Sequence, residues 1–310
     1  MLSAVVGHKK KILLTVILVA LALNAYIFSL GYSAASSPIL EEYANDFSAY
    51  YIGAWRLFYN PTQIYASGHY LPGDYLIEPT PQIFKYTPSF LIFFSPLLAL
   101  SYQDALNFFD VVQFLSVFAS AFFVYHLVRD KNFFLGSIAV VMVLLSPAAI
   151  GFDARVIFQG YYWGYAMANA HIIQTALIVG ALYFAYTKKP WFCAFMVALA
   201  CFDPRVVLLA LPLLLWYSRQ VLGKTILACI GFIAALNLPF FFYQNIGLTF
   251  LQEQVRGSIV IQMYAYNWVP MLAVVVLTLI EVIHLLSKRP SFQNWSIWRR
   301  WWKAFALRFN

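Results

Sequence analysis

Apolar runs of near-membrane length recur along this chain, and no single motif constrains its fold as strongly. They fall near 12–30, 86–100, 106–128, 133–150, 169–186, 191–202, 206–217, 225–243 and 268–286. A helix needs roughly 20 apolar residues to cross a bilayer, and several runs reach that length. The runs 86–100, 191–202 and 206–217 are short. Such pieces suit half-helices or re-entrant segments, which are tolerated where protein rather than lipid surrounds them. The predicted fold class is an all-α polytopic membrane protein. A single transmembrane domain covers 1–290, and a cytoplasmic amphipathic tail covers 291–310.

Composition agrees. Hydrophobic residues make up 63% and charged residues 10% of the chain, and mean hydropathy is +0.74. A soluble domain carries about a quarter charged residues. Aromatics reach 19%, which suits a protein with much surface at the headgroup level. The net charge of +8 is explained by cytoplasmic Lys and Arg that orient helices, so no nucleic-acid partner is implied. Cys193, Cys201 and Cys229 lie in apolar runs without metal-ligand spacing and read as small core residues. His8 and Lys9–Lys11 precede the first apolar run, and small residues follow it at 33–37. That run exceeds a usual signal core, so an uncleaved first helix is expected.

Positive charge sets the expected topology. With the N-terminus inside, 86–100 dipping in and returning, and 191–217 going out and back, most cations share one side. Lys9–Lys11, Arg129, Lys131, Lys188, Lys189, Arg219, Lys224, Lys288, Arg289, Arg299, Arg300, Lys303 and Arg308 then lie inside, 15 of the 20 Lys and Arg. Arg56, Lys85, Arg155, Arg205 and Arg256 remain outside. This bias implies about eight crossings in a cell membrane with both termini cytoplasmic. The outer face then receives a long first loop (31–85), the 151–168 loop, the tip at Phe202–Arg205 and the 244–267 loop. The tail alternates Trp and Phe with Arg and Lys, as interfacial helices on an anionic leaflet do.

The first outer loop holds the candidate chemistry. Phe47, Tyr50, Tyr51, Ala54, Leu57 and Phe58 recur at helical spacing, which predicts a helix along the membrane with Asp46 at its N-terminus. A carboxylate there is favoured by the helix dipole. Capping is the common job of such an Asp. A general base at the membrane surface is the sharper reading.

Several ordered pieces resemble a known family. These are Asp46-Phe47, Tyr50-Tyr51, Ile64-Tyr65, Phe84-Lys85-Tyr86-Thr87-Pro88 and Pro96-Leu97. The series resembles the polyprenyl-phosphate-mannose-dependent mannosyltransferases of glycosyltransferase family 87, within the GT-C superfamily. The mannosyltransferase of glycosylphosphatidylinositol-anchor assembly has a similar loop. The resemblance covers 45–100 well and 45–217 loosely. Lys188-Lys189-Pro190-Trp191 matches a cytoplasmic turn of the family. Ala168-Asn169-Ala170-His171 stands where the family has Gly-Gln-x-Asn, and Asp203-Pro204-Arg205 stands where it has Lys-Pro.

The resemblance implies a GT-C-like bundle and an inverting transfer of a sugar, mannose in this family, from a polyprenyl-phosphate donor. The acceptor would be a lipid or glycan at the outer leaflet. Asp46 would be the catalytic general base. Arg205 and Arg256 would meet the phosphate, whose planar recognition suits Arg, with Arg155 and Lys85 in reserve. His171, Asn169, Tyr50 and Tyr86 complete the expected substrate-binding set. No cofactor and no metal are expected. Ion pairs such as Arg155 with Asp153 or Arg205 with Asp203, and an aromatic belt at Tyr161, Tyr162, Trp163 and Tyr165, are the plainer readings of those residues. Glu281, near the inner end of the last apolar run, is a costly place for a carboxylate. A transporter or flippase of a lipid-linked substrate and a non-catalytic GT-C homologue are the competing functional readings. The missing internal repeat argues against a transporter.

Overall fold

A computed structural model describes residues 2–35, 45–65, 84, 86–129, 133–145, 168, 170–256 and 276 of the chain. Every regular element among them is helical. The order is α1 (Leu2–Ala35), α2 (Asn45–Tyr59), a 3-10 turn (Pro61–Gln63), α3 (Pro88–Phe94) running into a second 3-10 stretch (Ser95–Ala99), and α4 (Tyr102–Val128). There follow α5 (Phe133–Leu144), α6 (His171–Tyr186), α7 (Pro190–Ala200), α8 (Pro204–Ser218), α9 (Leu222–Asn237), α10 (Pro239–Phe242) and α11 (Ile246–Arg256).

Among the described residues, three stretches are long and apolar enough to cross a membrane: Lys11–Ser29, Tyr102–Val128 and Leu222–Phe242. Their outward faces are apolar as well. Leu14 and Leu18 on α1, Leu115 and Phe122 on α4, and Leu227 and Ile230 on α9 are all exposed. A helix that is apolar all round belongs in lipid or in a large core. Pro88–Ala99, Phe133–Leu144, His171–Tyr186 and Pro190–Ala200 are apolar but shorter. The short runs foreseen at 86–100, 191–202 and 206–217 thus appear as α3 with its 3-10 extension, α7 and α8. The tail 291–310, Glu281 and the whole loop 66–83 lie outside the described residues.

Local chemistry explains where these helices begin and end. Proline opens α3, α7 and α10, since its missing N–H costs nothing in a first turn. The Ser101 hydroxyl caps α4, accepting from the Asp104 amide at 3.2 Å and donating to the Asp104 carboxylate at 2.6 Å. The end of α6 is closed by Lys188 at φ 58°. The Lys189 amide reaches the Phe184 carbonyl at 2.8 Å and the Lys188 amide reaches Ala185 at 3.1 Å. That pair of bonds is a Schellman closure, which turns the chain directly into α7.

The packing forms two regions. α6 lies against α4 and α7. A Cβ on Gly180 would stand 3.1 Å from the Phe123 ring, so the small residue permits that close approach. The second region is an aromatic core at one end of α4, and it positions the site. Phe47, Tyr50, Ala54 and Leu57 form the buried face of α2, packed on Phe90, Leu91 and Phe94 of α3 and on Ala105, Leu106 and Phe109 of α4. One expectation is corrected. Phe58, counted with the apolar face by spacing, is 56% exposed; its angle on the helix matches that of buried Ala54 and Tyr51, but it lies in the last turn of α2, one residue from its end.

The α2–α3 contact is tight at Gly53, where an added Cβ would meet the buried Leu91 side chain at 2.9 Å. Gly53→Val is expected to destabilise the protein by about 1–3 kcal/mol through overpacking. Thermal unfolding in detergent measures it, and an unchanged midpoint would contradict the packing described.

Candidate functional site

The site is built outward from α2. Asp46 lies in the first turn of that helix and is partly exposed. Tyr50, one turn on, is fully buried. Residues four apart share a helix face, so the carboxylate and the phenol stand in one column. Tyr50 then meets two other parts of the chain. Its hydroxyl lies 3.4 Å from the Tyr86 hydroxyl and accepts from the Ala170 amide at 3.4 Å. Its ring packs edge-on against Tyr86 at 5.4 Å and Phe90 at 5.1 Å.

Tyr86 is the second junction. Its ring packs against the His171 imidazole at 6.3 Å and Phe202 at 5.6 Å. Its carbonyl accepts from the Tyr65 hydroxyl at 3.1 Å. The next residue, Thr87, donates its amide to the Phe202 carbonyl at 3.1 Å. Ser89 then donates to the Asn237 side chain at 2.8 Å, which ties α3 to the end of α9. Five stretches distant in sequence therefore converge: the start of α2, the 84–90 segment, the start of α6, the α7–α8 tip and the end of α9.

The third junction is Gln174, fully buried on α6. Its side-chain nitrogen donates to the carbonyls of Ala200 at 2.6 Å and Asp203 at 2.7 Å. Its oxygen lies 2.9 Å from His171 Nδ1. The tip that carries Asp203 is thus fastened to the helix that carries His171.

Electrostatics follow the burial. The Tyr50 phenol is held well above its ordinary range, chiefly by burial, then by the neighbouring Tyr86 and by the negative charge of Asp46. Tyr65 is raised well above its ordinary range by burial alone. Burial also lowers the Arg56 guanidinium.

Asp46, Tyr50, Tyr86 and His171 thus form a chain of neighbours, Asp46 beside Tyr50, Tyr50 against Tyr86 and Tyr86 against His171. The backbone of Arg205 enters the first turn of α8 directly after the tip, and Arg256 ends α11. Lys85 and Asn169 lie outside the described residues, as do Arg155, Asp153 and Tyr161 to Tyr165. Arg56, counted among the outer cations, is buried and donates to the Gln63 carbonyl at 3.1 Å. It fastens α2 to its following turn. Among the described residues no three His, Cys, Asp or Glu side chains gather into a group able to hold a metal.

Two features went unread in the sequence. Gln174 was one, although a polar residue inside an apolar run is a signal by itself. Asp110 was the other. It is 1% exposed within α4, and neither carboxylate oxygen has a hydrogen-bond partner among the described residues. Gln113, fully buried, follows three residues later on the same face.

An apolar cavity of about 230 Å³ opens beside the polar cluster. Phe90, Phe94, Phe109 and Phe202 belong both to its wall and to the aromatic core around Tyr50, and Ile173, Leu177 and Leu199 close its far side. The polar cluster and the apolar pocket therefore share one wall. No protein-family model, no curated protein and no solved structure matches the chain.

The buried phenols fix the sign of a pH effect. Unfolded tyrosine ionises near pH 10, whereas folded Tyr50 and Tyr65 stay protonated. Above about pH 10 the unfolded state binds fewer protons, so this contribution is complete below that pH and falls as pH rises. The double variant Tyr50→Phe, Tyr65→Phe is expected to lose stability less steeply across about pH 9 to 11. Thermal unfolding at stepped pH reads the slope, and parallel curves for the two proteins would contradict the burial of these hydroxyls.

Proposed function

We propose that this protein is a membrane glycosyltransferase that moves a sugar, mannose by the resemblance, from a polyprenyl-phosphate donor to a lipid or glycan acceptor. The observation that carries the reading is the shared wall. A partly exposed carboxylate, two tyrosines and a histidine stand beside an apolar cavity. An amphipathic ligand, polar at one end and apolar along its tail, is the kind of molecule that needs both. Pockets with few convergent polar groups on apolar walls are the usual form of small-molecule sites. The GT-C-like bundle of about eight crossings, with both termini cytoplasmic, belongs to the same proposal. So does the placement of 31–85 as the outer loop, which the positive-charge bias supports.

In this mechanism Asp46 takes the proton of an acceptor hydroxyl. The hydroxyl oxygen bonds to the anomeric carbon on the face opposite the phosphate. The carbon–oxygen bond to phosphate breaks, its electron pair leaves with the phosphate, and the configuration inverts. The leaving group is already anionic, so cations serve it better than an acid would. Arg205 and Arg256 are assigned that role, with Lys85 in reserve. Asn169 is assigned to donor binding beside His171.

A second reading, a carrier of a lipid-linked or polar substrate, draws on Asp110. A buried carboxylate in a spanning helix is costly and marks translocation paths in many membrane proteins. Asp110 lies about 12 Å along α4 from its first residue, beyond Phe109 of the aromatic core, so the carrier reading uses a deeper part of the bundle.

Asp46→Asn tests the transferase reading. Loss of general-base help lowers sugar transfer by about 10²–10⁴-fold, with membrane expression and helical content unchanged. A radiolabelled polyprenyl-phosphate sugar assay measures it. Turnover near that of the unaltered protein would remove Asp46 from the chemistry.

A further inference from the structure

His171 touches Tyr86 and bonds Gln174, and the second contact decides more than its length suggests. A side-chain amide has two N–H donors and one acceptor oxygen. The Gln174 nitrogen lies 2.6 Å from the Ala200 carbonyl and 2.7 Å from the Asp203 carbonyl. Carbonyl oxygens only accept, so both donors are committed and the orientation of the amide is fixed without reference to histidine. The atom left to face His171 Nδ1, at 2.9 Å, is the acceptor oxygen Oε1. A nitrogen held that close to an acceptor that cannot turn away carries the proton.

The neutral imidazole has a single N–H. With it on Nδ1, Nε2 holds the lone pair. The opposite tautomer would set two acceptors face to face and would leave Gln174 unable to turn, because turning would abandon two carbonyls. An unsatisfied buried polar group is costly, and here two would bear that cost at once.

We infer that Gln174 is a positioning residue that locks His171 in its Nδ1–H tautomer, so that Nε2 presents a hydrogen-bond acceptor. The ring is partly exposed and packs beside Tyr86. In the neutral ring Nε2 then suits a group that donates, such as a sugar hydroxyl, and not a phosphate oxygen. This ligand assignment rests on the proposed transferase reading. The tautomer does not, because it follows from the amide geometry alone.

Solution NMR of the full chain in nanodiscs, labelled with ¹⁵N at histidine, tests it. Spectra are taken well above the ordinary imidazole range of about 6.5, and His171→Asn identifies the His171 signals among the five histidines. The expected result is a proton bonded to Nδ1 and an unprotonated Nε2. A proton on Nε2, or fast exchange between both forms, overturns the lock. Inorganic phosphate is then titrated as a probe. An unmoved Nε2 resonance is expected, and a phosphate-dependent proton on Nε2 overturns the acceptor role. Gln174→Leu supplies the variant: where it folds, His171 shows both tautomers. Retention of a pure Nδ1–H form in the folded variant overturns Gln174 as its cause. Failure of sugar transfer leaves the tautomer result standing, so the two claims fall separately.

Discussion

The docking of α2 through Phe47 and Tyr50 is the contact on which the rest of the site depends. Both side chains are fully buried, and between them they touch Tyr86, Phe90, Phe94, Tyr102 and Phe109. Aromatic pairs of this kind contribute about 0.5–1.5 kcal/mol beyond their buried area. A 15-residue helix has little stability by itself. Its place is set by this packing, and Asp46 goes where the helix goes. The carboxylate is positioned by two rings on the buried face of its own helix.

Polar contacts then set what the aromatic core leaves undetermined. Each acts through a backbone group that would otherwise be orphaned. Gln174 holds two carbonyls of the α7–α8 tip, and Thr87 holds a third at Phe202. Asn24 on α1 donates to the Leu144 carbonyl at 2.8 Å, which satisfies an oxygen at the end of α5. In surroundings without water such bonds must be made internally. The same residues that satisfy the backbone fix the relative placement of α1, α5, α6, α7 and α8. Near the site, this coupling makes a structural glutamine also the partner of the histidine.

The helices were legible in the sequence, and so was the existence of a polar cluster. The α2 pattern could be read because apolar residues repeat every three or four positions from Phe47 to Leu57. The spacing placed Phe58 inside only because it cannot say which neighbour the helix meets. Tyr50, Tyr86 and His171 could be chosen by residue type and order, but their contact could not, since 36 residues separate the two tyrosines. Gln174 was illegible for a different reason. Its partners are backbone carbonyls 26 and 29 residues on, and backbone partners leave no trace in side-chain identity. Asp110 and Gln113 did leave one, as polar residues three apart inside an apolar run. Charge counting is blind to burial, so it gave no sign of the bond between Arg56 and the Gln63 carbonyl.

The enzymatic reading joins a carboxylate at a helix N-terminus to an apolar cavity one aromatic layer away. Its most direct test needs no variant. Purified protein in nanodiscs is incubated with a radiolabelled polyprenyl-phosphate sugar and a membrane lipid extract as the acceptor source. Transfer requires label to move into a new glycolipid or glycan product, with release of unlabelled polyprenyl phosphate. Label that stays on its original carrier and only changes leaflet would contradict the transferase and leave the carrier in its place.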